Sequence, residues 1–268
     1  LLTIIDEAEI AESVYNSNAI ENSTLTLKET EKILLEMEVS RNVSLREVFE
    51  AKNLARVMEY IRNKNHKKKL NTDFILLLHK MLISNINDDI AGRFRSKGEY
   101  VRVGYYIAPP PEHVELMIEN AISDYSSNLE SFPIDKIAKF HLDFEHIHPF
   151  IDGNGRMGRL LINYQLNEIG FPNVIIRNKG KNKYYETFKQ YDDKKNTKPM
   201  EKIVTLAITE SLYKRNTYLK GDKIITLADY AKMHKKSASA VLNAARRQNI
   251  PAFREKGVWK IGTSFEQS

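Results

Sequence analysis

The sequence predicts an all-α body carrying a small β-hairpin flap, followed by a small C-terminal module of two helices and a hairpin. Three observations lead there. Apolar residues recur at three- and four-residue spacing through most of residues 1–217, the period of one helix face. One short stretch, Tyr100–Ile107, is instead rich in strand formers and is closed by Pro109-Pro110-Pro111. Residues 218–268 then change character. Between Asp222 and Gly262 nine Lys and Arg stand against three acids, which accounts for the whole net charge of +6 of the 268-residue chain.

The elements follow in order. Ile5–Asn16 is a short helix of mixed pattern. Thr26-Leu27-Lys28-Glu29 has the capping-box spacing, with Thr26 as N-cap and Glu29 reaching back, ahead of Ile33, Leu34 and Met37. Leu45, Val48, Phe49, Leu54, Val57, Met58 and Ile61 trace an amphipathic helix that ends in the polar run Asn63–Lys69, where His66 is expected in solvent. Asp73–Ser84 is another helix, with Phe74, Leu77, Leu78 and Met81 on one side. Beyond the flap come helices at Glu112–Leu129, Ile134–Glu145 and Arg156–Ile169, the last stopped by Gly170, then Asn182–Asp192 and Pro199–Thr217. In the basic segment, Thr226–Ala231 and Ala238–Gln248 read as helices, and Pro251–Ile261 alternates like a hairpin. That order resembles a winged helix-turn-helix, a module that serves either nucleic acid or protein partners. The division expected is therefore 1–40, 41–217 and 218–268.

Composition excludes several classes. Without cysteine there are no disulfides and no thiolate metal sites. The longest apolar runs, such as Phe74–Leu78, fall far short of the roughly 20 residues that span a bilayer. No signal-like segment opens the chain, so the expectation is a cytoplasmic protein with no membrane partner.

The chemistry concentrates in His148-Pro149-Phe150-Ile151-Asp152-Gly153-Asn154-Gly155-Arg156-Met157-Gly158-Arg159. Pro149, Gly153 and Gly155 forbid a continuous helix, so this is a tight loop running into a helix N-terminus, where free N–H groups favour an anion. Gly153 and Gly155 let backbone amides face a ligand closely. Arg156 and Arg159 share one face of the first helical turn, an unfavourable place for two cations unless a polyanion lies between them. Asp152 offers a hard oxygen ligand suited to Mg²⁺ shared with phosphates. His148 stands at the loop entrance as a proton acceptor. A Gly-Asn-Gly alone is usually a turn, and Arg pairs are usually solvated; the twelve residues together predict a nucleotide-dependent transferase. His146 and His148 form a His-x-His pair, but no third ligand stands at matching spacing for zinc.

These twelve residues resemble the Fic family pattern, His-x-Phe-x-(Asp/Glu)-Gly-Asn-Gly-Arg-x-x-Arg, at every specified position. Leu78-His79, Gly92-Arg93-Phe94-Arg95 and the proline-closed flap are similar too, and the resemblance covers roughly residues 1–215. It implies a helical core that transfers AMP from ATP to a Ser, Thr or Tyr hydroxyl of a protein target or of the chain itself. The Doc-type kinase branch carries Lys where this chain has Gly153. By the same resemblance, His148 takes the hydroxyl proton, Phe150 fixes the loop, Asp152 binds Mg²⁺, and Asn154 with the loop amides holds the α-phosphate. Gly153, Gly155, Arg156 and Arg159 complete the phosphate site. Val103, Gly104, Tyr105 and Tyr106 align the target as an added strand, and Tyr184 and Tyr185 are candidates for the adenine side, with core packing as the competing reading. Ser17-Asn18-Ala19-Ile20-Glu21-Asn22 is similar to the family's inhibitory pattern, in which Glu21 would pair with Arg159 while Ser17 anchors the helix. Proteins of this organisation often form homo-oligomers. Two alternatives stay open: a nucleotide-sensing DNA-binding regulator, and a relative that uses another nucleotide or removes AMP.

Overall fold

In the computed structural model, residues 1–39, 42–63 and 69–265 are described. His66 and the 40/41 division lie outside these residues. Helix α1 spans Leu2–Ile20, extending the expected Ile5–Asn16 at both ends, so that Ser17 lies in its last turn and Glu21 is its C-cap. Asn22 follows in the left-handed conformation (φ 66°) that Asn tolerates. Helix α2, Leu27–Glu31, opens with the full capping box: Glu29 N–H donates to Thr26 Oγ1, and the Glu29 carboxylate accepts from Thr26 N–H. It runs into a turn of π-helix, Lys32–Glu36, that closes at a left-handed Met37.

Helix α3, Leu45–Arg62, is capped by Ser44, and α4, Thr72–Ile83, by Asn71. The flap is a two-residue hairpin, β1 (Arg102–Val103) against β2 (Tyr106–Ile107), in antiparallel register with Val103 opposite Tyr106. Gly104, at φ 55°, supplies the positive φ that the first turn position requires. Helices α5 (Val114–Ser127), α6 (Pro133–Ile147), α7 (Asn154–Glu168), α8 (Lys181–Lys194) and α9 (Lys198–Leu219) complete the body. Helix α7 begins at Asn154, two residues before the expected Arg156, because left-handed Gly153 (φ 85°) turns the chain straight into it. Among the described residues no helix is long and apolar enough to cross a membrane.

Two apolar clusters flank the α6–α7 pair. One joins Leu54, Leu78, Leu82, Phe144, Phe150 and Met157. The other joins Ile20, Leu142, Ile162, Tyr184 and Val204. The loop between α6 and α7 is anchored in the first of these through Phe150, which is fully buried.

Beyond α9, β3 (Ile224–Thr226) precedes α10 (Leu227–Met233), α11 (Ala238–Arg246), β4 (Ala252–Glu255) and β5 (Val258–Gly262). The three strands form one antiparallel sheet in the order β3-β5-β4. The sequence reading contained the hairpin but not β3, whose three residues are too few to show alternation.

Candidate active site

His148 ends α6 in the left-handed region (φ 50°, ψ 62°), a conformation that a non-glycine residue holds only when its surroundings enforce it. Arg95 enforces it. Its Nε donates to His148 O at 2.8 Å, its Nη2 to Ile147 O at 3.2 Å and Pro109 O at 2.9 Å, and its backbone N–H to Pro149 O at 2.9 Å. One buried guanidinium therefore satisfies the open carbonyls of a helix end and ties them to the base of the flap. His148 Nδ1 lies 3.3 Å from Glu145 O. A carbonyl only accepts, so that contact assigns the proton to Nδ1 and leaves Nε2 as the basic nitrogen. Burial, with the Arg95 charge adding to it, pushes the His148 pKa down to about 4, so the ring is neutral near pH 7.

The rest of the loop is built by short-range ties. Phe150 stacks on His79 with ring centroids 3.6 Å apart and planes 6° from parallel. Gly92 N–H donates to His79 Nδ1 at 3.0 Å, which leaves His79 Nε2–H to donate to Asp152 O, also at 3.0 Å. Asn154 closes the loop with both ends of its amide, Oδ1 accepting from Phe150 N–H at 2.9 Å and Nδ2 donating to Phe150 O at 2.8 Å. Its side chain shapes the loop and leaves the backbone N–H groups of the α7 first turn to face an anion.

The two arginines are buried, at 3% exposure for Arg156 and 5% for Arg159. Arg156 Nη2 donates to Asp152 Oδ1 at 3.1 Å, and its Nη1 lies 3.3 Å from Glu50 Oε1. Arg46 reaches the other oxygen of Asp152 and also donates from Nε to Glu50 Oε1 at 3.0 Å. Burial opposes ionisation of Asp152, but Arg156 and then Arg46 outweigh it and hold its pKa below the ordinary value. Arg159 turns the other way. Its Nη2 donates to Glu21 Oε1 and to Ser17 O, both at 2.8 Å, and its Nε to Ser17 Oγ at 3.0 Å. Glu21 lies so close over α7 that a Cβ on Gly155 would overlap Glu21 Oε1. A carboxylate from α1 thus already sits where the helix N-terminus and Arg159 favour an anion.

Residues 69–166 match the Fic/DOC family. A protein adenylyltransferase Fic from Nematostella vectensis is 35% identical over 182 residues, which cover 66% of this chain and 42% of that protein. A Fic domain containing signaling protein from Bacteroides thetaiotaomicron superposes with a TM-score of 0.68 at 25% identity, over 78% of this chain and 88% of that one. This region is a Fic domain. A Fic family protein from Desulfovibrio desulfuricans superposes with a TM-score of 0.69 over 98% of this chain and 89% of that one, and at 21% identity it shows the fold alone. The chain spans less than half the length of the Nematostella relative.

The remaining residues surround this Fic core. Tyr184 is buried, its hydroxyl 2.8 Å from His141 Nε2 and 3.5 Å from Arg159 Nη1, so it supports the arginine from below. Tyr185 is 40% exposed and donates to Ile20 O at 2.9 Å, fastening the end of α1. In the flap, Tyr106 OH donates to Glu145 O at 3.0 Å and its ring stacks on His146, while Tyr105 OH donates to Asp192 Oδ2 at 2.5 Å. The outer rim stays open, with Tyr100 59% and Ile107 71% exposed. Sequence reasoning gave no role to Arg46, Glu50, His79, Arg95 or Glu145. The four-residue spacing of Arg46 and Glu50 is a local signal, and His79 and Arg95 fall in stretches that resemble the Fic family; which partners they meet is set by folding.

Proposed function

We propose that this chain is a protein adenylyltransferase, moving AMP from ATP to a hydroxyl of a protein target or of itself, with Glu21 holding the enzyme back. One observation carries the reading: a neutral histidine, with Nε2 as its basic nitrogen, stands at the mouth of an anion cradle made of a helix N-terminus and two buried arginines. The adenylyltransferase name of the Nematostella relative agrees with it. In this reading His148 Nε2 takes the hydroxyl proton as the oxygen bonds to the α-phosphorus. The bond from that phosphorus to the bridging oxygen breaks, and pyrophosphate departs with its charge against Arg156 and Arg159. The first-turn N–H groups of α7 hold the charge that builds on the α-phosphate oxygens.

Asp152 fits a Mg²⁺ role in its chemistry: it is ionised, its side chain is 30% exposed, and it lies at the cradle's rim. The ion would neutralise phosphate charge there, sharing one protein carboxylate with the nucleotide. The open flap edge suits a target segment added as a strand. With Glu21 on Arg159, that arginine is unavailable to the terminal phosphates.

The test is incubation of the purified chain with ATP labelled at the α-phosphate, in wild type, Glu21→Gly and His148→Ala. Label on protein in Glu21→Gly at least tenfold above wild type, and none in His148→Ala, is the expected result. Bound ATP with no label in any variant would remove the transferase reading. Equal labelling in wild type and Glu21→Gly would remove the brake.

A further inference from the structure

The geometry points to Arg46 as a resident counter-ion of Asp152 that a divalent metal must displace when nucleotide binds; we infer that it sets how much metal the site requires. The inference rests on the nucleotide-binding reading above. Asp152, Arg156, Glu50 and Arg46 form a closed ring of alternating charge. Arg156 joins Asp152 Oδ1 at 3.1 Å to Glu50 Oε1 at 3.3 Å, and Arg46 joins the same Glu50 oxygen at 3.0 Å to Asp152 Oδ2. Both oxygens of Asp152 are therefore engaged by guanidinium groups.

Only one of the two cations is free to leave. The Arg156 side chain is 3% exposed and held inside the ring, whereas that of Arg46 is 58% exposed. Arg46 also lies in the first turn of α3, directly after Leu45, where the helix dipole disfavours a cation. Its place there depends on the two carboxylates it meets. Among the described residues no group of three or more His, Asp or Glu is arranged to hold a metal unaided. A hard cation would thus have to share Asp152 with phosphates, and the more exposed of its two guanidinium partners, Arg46, occupies Oδ2. Leaving Asp152, the Arg46 side chain remains tethered to Glu50 through Nε at the rim of the cradle.

The experiment measures ADP binding by calorimetry at a series of Mg²⁺ concentrations, and in EDTA, on the full Glu21→Gly chain with and without Arg46→Ala or Arg46→Lys. Removing an exposed ion pair should lower the Mg²⁺ concentration for half of the metal effect by roughly three- to fivefold in Arg46→Ala. ADP affinity in EDTA should stay unchanged, and Arg46→Lys should stay near the parent. An unchanged or raised Mg²⁺ requirement in Arg46→Ala overturns the inference. So does weaker ADP binding in EDTA, which would make Arg46 a phosphate ligand. If the parent binds no ADP at any Mg²⁺ concentration, the nucleotide reading itself falls and takes this inference with it.

Discussion

The middle and the C-terminal end of α1 are held by the same kinds of group in opposite ways. In its middle, Glu9 and Glu12 are buried at 8% and 5% exposure. Glu9 pairs with Lys214 at 3.0 Å and Arg215 at 2.9 Å, both on α9. Glu12 pairs with Arg177 and accepts from the backbone N–H groups of Lys256 and Gly257, at 3.1 and 3.0 Å, in the turn between β4 and β5. Arg177 and Arg254 both meet Glu210, so α1, α9 and the C-terminal hairpin share one buried network. At its C-terminal end, the Glu21 side chain is 37% exposed and pairs with Arg159, whose side chain is 6% exposed. The first stretch thus joins groups that are little exposed on both sides of each pair, whereas Glu21 can exchange its partner for water only by leaving the buried Arg159 to its two Ser17 hydrogen bonds.

The contrast breaks most directly by removing one carboxylate from each place. Glu12→Ala leaves two hairpin N–H groups unpaired and Arg177 with Glu210 alone, and should cost about 3–5 kcal/mol of stability. Glu21→Gly leaves the buried Arg159 with Ser17 and should cost about 1.5–3 kcal/mol while raising transfer. Urea unfolding of both variants checks the pair, and similar losses at the two places would dissolve the distinction.

Glu145 sharpens the comparison through pH. It lies on α6 against Gly158, where a Cβ would meet Glu145 Oε1 at 2.6 Å, and it is 8% exposed. Burial first, and then the Glu21 charge, push its pKa up to about 8. The unfolded carboxyl titrates near 4.3, so between there and about pH 8 the unfolded chain has released a proton that the folded chain keeps. The stability contributed by this group is therefore complete at low pH, falls through that window and is lost above it. Unfolding midpoints from pH 5 to 9 should show Glu145→Gln gaining on wild type as pH rises. In Glu21→Gly the loss should finish at lower pH, since the like charge is gone. The smallest effect belongs to Tyr185→Phe, which removes one hydrogen bond to Ile20 O. It should cost about 1 kcal/mol and raise transfer severalfold by loosening the end of α1; unchanged transfer would show that Tyr185 does not restrain Glu21.

By itself the sequence determined the helical body, the Thr26–Glu29 capping box, the flap, and the tight loop that runs from His148 into a helix. Each of these rests on residues within about one helical turn of each other or on the limited φ of Pro and Gly, so the signal is local. The same local signals missed the earlier start of α7 at Asn154, because a left-handed Gly153 is a helix entry only in its packed setting. Only tertiary structure decided that Arg156 and Arg159 are buried rather than solvated, that Arg95 caps α6, and that Asn154 closes the loop on Phe150. It alone brought Arg46 to Asp152, 106 positions away, and the last hairpin to Glu12, 245 positions away at Gly257. A charge can choose such a partner only after the apolar faces have packed and excluded the water that would otherwise solvate it.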